Sequence, residues 1–174
     1  LARQLLTLAR AEPQARADQP KEVLDLAVLA REVTAEWVPR ALERAVDLGY
    51  DGPESGIALY GDAALLKEML SNLIDNALRY GNEGGNITVQ LTTKKNDATI
   101  ELAVEDDGPG IPAEYRERVF DRFVRLPGTH GDGCGLGMAI VREIAGVHQA
   151  RATVDDVTTE SGTRVRIVFD APFR

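Results

Sequence analysis

The sequence predicts an α+β two-layer sandwich, in which helices cover one face of a mostly antiparallel mixed sheet. Three observations carry this expectation. Helical apolar stripes, with residues three and four apart, run through residues 26–48, 62–80 and 138–147. Two pairs of segments, 87–93 with 99–104 and 150–155 with 163–169, alternate apolar and polar around polar or glycine-containing breaks, as hairpins do. The two patterns come as helix, hairpin, helix, hairpin, without the strict strand–helix alternation of a parallel sheet.

The elements follow in order. Leu1, Leu5, Leu6 and Leu8 form a short helical stripe that Glu12-Pro13 ends. Residues 13–20 carry two prolines and read as a linker, so residues 1–12 read as the tail of a helix from a neighbouring unit and 21–174 as the main domain. With Leu1 opening the sequence in mid-stripe, the chain is expected to be a piece of something longer. A helix is predicted from Leu26 to Leu48, kinked or broken early at Pro39 and stopped by Gly49. A short strand at Gly56–Tyr60 precedes a helix that Asp62 caps and Gly81 ends near Tyr80. Lys94-Lys95-Asn96-Asp97 separates the strands of the first hairpin. A short helix is predicted at Ala113–Phe120 and a mobile loop over 124–135, where glycine is dense and periodicity absent. Met138–Val147 is the last helix, and Ser161-Gly162 lies near the last turn.

With 44% hydrophobic and 28% charged residues the chain can build a core and is not mainly disordered. A formal net charge of -8 argues against wrapping nucleic acid. No apolar run approaches the roughly 18 residues that span a bilayer. The single cysteine, Cys134, cannot form an internal disulfide and fits a reducing compartment.

Three segments carry chemistry. Asn72 and Asn76 are one helical turn apart on one face, at the edge of an apolar stripe, where asparagine is a poor helix former. A carboxamide oxygen suits Mg²⁺ that is held mostly by phosphate and water, although two such residues also serve as partners for neighbouring loops. Asp75 and Arg79 share the same spacing and can pair. Glu105-Asp106-Asp107-Gly108-Pro109-Gly110-Ile111 lies where a strand ends. A carboxylate there can accept from an exocyclic amine, and the same residues also make an ordinary acidic turn. Gly131-Asp132-Gly133-Cys134-Gly135-Leu136-Gly137 opens a helix and reads as a phosphate cradle or as a hinge. Neither the dinucleotide pattern G-x-G-x-x-G nor the P-loop G-K-[ST] is present. Between the last two segments, Arg118, Phe120, Arg122, Phe123 and Arg125 alternate aromatic anchors with guanidinium groups.

In this order, the segments resemble the N, G1, F and G2 boxes of the sensor histidine kinases. Their catalytic domain has the Bergerat ATP-binding fold, shared with gyrase, heat-shock chaperones and mismatch-repair ATPases. The resemblance covers about residues 20–170, and the residues before Pro13 resemble the end of the dimerisation helix in such kinases. It implies ATP and Mg²⁺ as cofactors and a glycine-rich ATP lid. Asn76 would hold Mg²⁺ and Asn72 would support the phosphates, while Arg79 and Tyr80 would contact phosphate and the adenosine side. Asp106 would accept the adenine amino hydrogen. Gly108 and Gly110 would let the chain pass under the base, with Ile111 beside it. Arg122 or Arg125 would approach the γ-phosphate. Gly133, Gly135 and Gly137 would cradle the phosphates, with Cys134 among them and Leu136 packed beneath the nucleotide. Two departures stand out: Cys134 replaces a usual Ser or Thr, and Gln149-Ala150 replaces glycine.

Related ATPases carry a water-activating Glu where this chain has Asn72, which cannot act as a base, so transfer is expected over hydrolysis. Neither His130 nor His148 sits in the family's phosphoacceptor context; His130 reads as a solvated lid residue and His148 as a helix-end residue favourable to the dipole. The expected activity is donation of the γ-phosphate to a histidine on an upstream dimerisation domain, so this chain alone should not autophosphorylate. The implied partners are that phosphoacceptor domain and a response regulator, with no nucleic acid and no membrane contact by these residues. The parent would be a homodimer in the bacterial inner membrane with this domain in the cytoplasm. Two alternatives use the same residues: a non-catalytic nucleotide-binding regulatory module, and a serine kinase of a partner protein.

Overall fold

The computed structural model describes residues 21–94, 99–126, 135–155 and 161–170. The proposed helix tail and linker at residues 1–20, and His130, Gly133 and Cys134, lie outside the described residues.

Strands β1 (Glu22–Asp25) and β3 (Ala58–Gly61) form an antiparallel two-stranded ribbon. Strands β2 (Asp47–Asp51), β4 (Asn86–Lys94), β5 (Thr99–Asp106), β6 (Ala150–Asp155) and β7 (Thr163–Asp170) form the main sheet, in the order β2-β4-β5-β7-β6. Among the described residues only the β2–β4 pairing is parallel. Helices α1 (Leu26–Leu42), α2 (Ala63–Tyr80) and α3 (Gly137–Val147) cover one face, with α2 packed between the other two.

The predicted two-layer sandwich is therefore the observed one, and its register explains where the core sits. Directly opposed residues of an antiparallel pair share a face. Val89, Val104 and Val165 form one row across the sheet, and Leu91, Leu102 and Ile167 the next. All face the helices and are buried, as are Leu66, Met69, Leu70, Leu73 and Ile74 of α2. Burying one such aliphatic side chain contributes about 1.5–3 kcal/mol.

The opposite face of the sheet is polar and self-paired. Arg164 donates to Gln90 Oε1 at 2.6 Å, Glu105 Oε2 at 2.9 Å and Glu101 Oε1 at 3.0 Å. Arg166 joins Asp155 at 2.9 Å and Glu101 at 3.7 Å. Burial pushes the Glu101 carboxyl up, but Arg164, Arg166 and Lys94 outweigh it and hold the group below its ordinary range.

Capping fixes the helix starts. Asp62 accepts from Ala64 N and Leu65 N, the predicted cap of α2. Asp25 caps α1 through Ala27 N and Val28 N, and the same carboxylate accepts from Gly56 N and Ile57 N. Pro39 does not break α1, which runs three residues further to Leu42. The helix ends there because Ala45 adopts φ of 54°, outside the right-handed region. Residues 47–49, read from the sequence as the end of that helix and its glycine stop, belong to strand β2. The segment read as one short helix at 113–120 is two single turns of 3₁₀ helix, Ala113–Tyr115 and Arg118–Phe120.

His148 also differs from its sequence reading. It is buried, its Nε2 accepts from Asp62 N at 3.0 Å, and its Nδ1 lies 2.8 Å from Ile144 O. An accepting Nε2 requires a neutral ring with the proton on Nδ1. Burial lowers its pKa and so opposes the charged form that the expected dipole role needs. Beside it, Lys21 Nζ donates to Val147 O at 3.0 Å, so the start of β1 is tied to the end of α3.

Candidate functional site

A cavity of about 610 Å³ opens between α2, the end of β5, the 3₁₀ turns and the N-terminus of α3. That volume lies in the range of small-molecule sites. Leu73, Val104, Val119, Leu126 and Val165 give it apolar walls.

Asp106 enters by strand periodicity. It lies two residues beyond Val104, so its side chain continues the helix-facing row, in register with Ile87 and Thr163. Burial pushes its carboxyl up to about 6, against backbone hydrogen bonds from Gly108 and Thr163 that favour the charged form. Asp107 points the other way: its Oδ2 accepts from Asn86 N at 2.9 Å and holds the turn after α2. Gly108 N donates to Asp106 Oδ1 at 2.9 Å. A Cβ on Gly108 would stand 2.9 Å from Gly81 Cα, so only glycine lets the two segments pass.

Asn72 and Asn76 face the start of α3. A Cβ on Gly137 would meet Asn76 Oδ1 at 3.3 Å and Asn72 Oδ1 at 3.4 Å. Asn72 Nδ2 donates to Glu68 O at 2.8 Å, leaving Oδ1 turned toward α3. Asn76 makes no side-chain hydrogen bond among the described residues. Helix α3 has Leu136 at its N-cap position, with no side-chain cap among the described residues and no acidic residue in its first turn. Unsatisfied first-turn N–H groups and the helix dipole suit an anion there. One end of the cavity therefore offers a hydrogen-bond acceptor in an apolar slot, and the other offers hard oxygens facing an anion-binding helix end.

The cavity brings together Asn72, Asn76, Arg79, Tyr80, Asp106, Gly110, Ile111, Arg125, Gly135, Leu136 and Gly137 of the residues singled out from the sequence. Arg79 Nε donates to Asp75 Oδ2 at 2.7 Å, the pairing expected from their spacing, and Arg40 approaches the same carboxylate at 3.5 Å. Arg122 is not among the lining residues and reaches Glu143 of α3 at 4.0 Å. Gly108 supports Asp106 from behind without lining the cavity. Thr163 and Tyr115 line it too, and the sequence reading missed them. The place of Thr163 depends on the β5–β7 register, which no local pattern encodes. Tyr115 stood in a segment with Pro112 and Ile111 that could have been read as a wall.

The family described as "Histidine kinase-, DNA gyrase B-, and HSP90-like ATPase" matches residues 61–172, a span that contains every residue lining the cavity. The chain belongs to this ATPase family. Membership implies ATP binding. The swarming motility regulation sensor protein RssA of Serratia marcescens is 34% identical over 174 residues, covering 99% of this chain and 36% of that protein. Sensor protein kinase PmrB of Pseudomonas aeruginosa is 36% identical over 149 residues, covering 85% of this chain and 30% of that protein. The solved mycobacterial sensor histidine kinase MprB superposes with a TM-score of 0.72 at 30% identity, covering 87% of this chain and 97% of that one. The ATPase fold seen here is thus that of histidine kinase catalytic domains, the Bergerat fold. The chain spans about a third of the length of these curated relatives.

Proposed function

We propose that this chain binds Mg-ATP in the cavity and donates the γ-phosphate to a histidine on an upstream dimerisation domain. The observation that carries the reading is the pairing, in one cavity, of the Asp106 acceptor with the Asn72–Asn76 pair facing the uncapped start of α3. Asp106 accepts the adenine amino hydrogen, which selects the base. The first turn of α3 receives phosphate, and Arg79 and Arg125 lie on the same walls. Among the described residues no cluster of three His, Cys, Asp or Glu side chains could hold a metal by itself. The hard Asn76 Oδ1, which has no hydrogen bond among the described residues, fits Mg²⁺ that takes its other ligands from phosphate and water. When bound, that ion neutralises charge on the β- and γ-phosphates.

In the transfer, an imidazole nitrogen of the acceptor attacks the γ-phosphorus, the bond to the bridging oxygen of ADP breaks, and the ring loses a proton. Phosphoryl transfer depends mainly on positioning and electrostatics. Asn72 cannot activate water, which favours a partner nucleophile over hydrolysis. His148 is buried and bonded on both ring nitrogens, so it is no acceptor. The names of the relatives, sensor proteins and sensor kinases, support two-component signalling with a response regulator downstream. No described helix is long and apolar enough to cross a membrane.

Calorimetry with ATP, with and without Mg²⁺, tests the first half: Mg-dependent binding lost in Asn76→Asp is expected, and unchanged Mg-dependent binding rejects the Asn76 role. Radiolabelled ATP with an upstream helical hairpin added in trans tests the second. Label on the hairpin histidine is expected, and binding without label favours the non-catalytic module.

A further inference from the structure

Asp75 divides its carboxylate between two arginines. Its Oδ2 accepts from Arg79 Nε at 2.7 Å, and its Oδ1 lies 3.5 Å from Arg40 Nη1 of α1. The brace continues on α1. There the Arg40 guanidinium lies 5.1 Å from the centre of the Trp37 ring, and Trp37 Nε1 donates to Ser71 Oγ at 3.3 Å. Ser71 and Asp75 are one turn apart on α2, so one edge of α1 is pinned along one edge of α2. Asp75 and Arg79 both line the cavity, and Arg40 does not.

An ion pair on a helix surface contributes little to stability, so the fold does not depend on the Asp75–Arg79 contact. What the contact fixes is the Arg79 side chain. An arginine at a part-exposed position samples many rotamers, and holding it in one before a ligand arrives removes an ordering cost from binding. Asp75 takes hold at Nε, and among the described residues the two Nη groups of Arg79 make no hydrogen bond. They keep the planar fork that matches a phosphate. Asp75 also sets a negative charge in the wall of the same cavity, which by itself repels an anion.

We propose that Asp75 is a positioning residue that holds Arg79 ready for the phosphates of the bound nucleotide. This role rests on the nucleotide reading of the cavity. The two effects of Asp75 have opposite signs. If it positions Arg79, its removal weakens ATP; if it acts only as a charge, its removal tightens ATP. Calorimetry on the full chain with Mg-ATP and with adenosine reads the difference. Asp75→Ala should weaken Mg-ATP about fivefold, the order expected for one side chain that must now be immobilised on binding, and leave adenosine unchanged. Asp75→Ala combined with Arg79→Ala should bind no more weakly than Arg79→Ala alone, since Asp75 acts through Arg79. Arg40→Ala removes the other partner of the carboxylate and should bind Mg-ATP as the wild type does. Unchanged or tighter Mg-ATP binding in Asp75→Ala overturns the proposal, as do additive losses in the double variant. So does an equal loss in Arg40→Ala, which assigns the effect to the packing of α1 on α2. A wild-type chain that binds no ATP rejects the nucleotide reading itself, and this role with it.

Discussion

His148 Nε2 accepts the backbone N–H of Asp62 at 3.0 Å, joining the end of α3 to the residue that caps α2. The ring must stay neutral to do so. Burial lowers its pKa from the ordinary 6.5, with Lys21 lowering it further and Asp62 and the Ile144 carbonyl opposing. Below pH 6.5 the unfolded chain takes up a proton that the folded ring refuses, so this contribution to stability is complete above 6.5 and is lost as pH falls. Urea denaturation between pH 7.5 and 5 should show that decline, and His148→Ala should flatten it. The variant leaves a buried N–H unpaired and should cost about 1–3 kcal/mol at pH 7.5. A wild-type curve flat over this range contradicts the assignment.

Asp106 titrates with the opposite sign. Its carboxyl is pushed up to about 6 from an ordinary 3.8, so between those values the folded chain holds a proton that the unfolded chain has released, and stability falls as pH rises. Above 6 the fold carries a desolvated charge that the Gly108 and Thr163 backbone hydrogen bonds offset only in part. Asp106→Asn should therefore keep or raise the Tm of the nucleotide-free protein at pH 7.5 while abolishing adenine recognition. Calorimetry should show ATP weakened by at least about tenfold, the cost of about 1.4 kcal/mol for one lost hydrogen bond, and an inorganic triphosphate weakened much less. Equal losses for both ligands would count against an adenine contact.

Gly137→Ala separates the site from the fold. Alanine is the better helix former, but its Cβ would press on the Asn76 and Asn72 carboxamides at 3.3 and 3.4 Å. The expected result is an unchanged or raised Tm together with weaker Mg-ATP binding. A variant that binds normally shows that the carboxamides do not need their present positions.

The two candidate arginines are separable as well. Arg125 lines the cavity, whereas Arg122 lies toward Glu143. Arg125→Ala should reduce phosphate transfer more than Arg122→Ala, measured as kcat with a hairpin acceptor. The reverse order exchanges their roles.

What the sequence made legible tracks how local the signal was. Helix α2 was readable to its caps, because Asp62, a strong apolar stripe and Gly81 lie within one segment. Both hairpins of the main sheet were readable from alternation alone. Strands β1 and β2 were missed: they are four and five residues long and flank α1, whose predicted span ran on into β2. Nothing in an alanine announces the left-handed turn at Ala45 that ends the helix, and the parallel pairing of β2 depends on β4, some forty residues on. In the site, Asp106 was readable because it continues the Val104 row. Thr163 was not, since it arrives from another strand. His148 was misread because a histidine at a helix end looks the same in sequence whether it meets solvent or a buried amide.

The Lys21–Val147 hydrogen bond gives α3 a mechanical character. Its eleven residues make a rod roughly 16 Å long, with Gly137 against the asparagine pair at one tip and the incoming chain fastened to the other. One rigid element therefore links the point where the chain enters the described domain to the asparagine pair that faces the cavity.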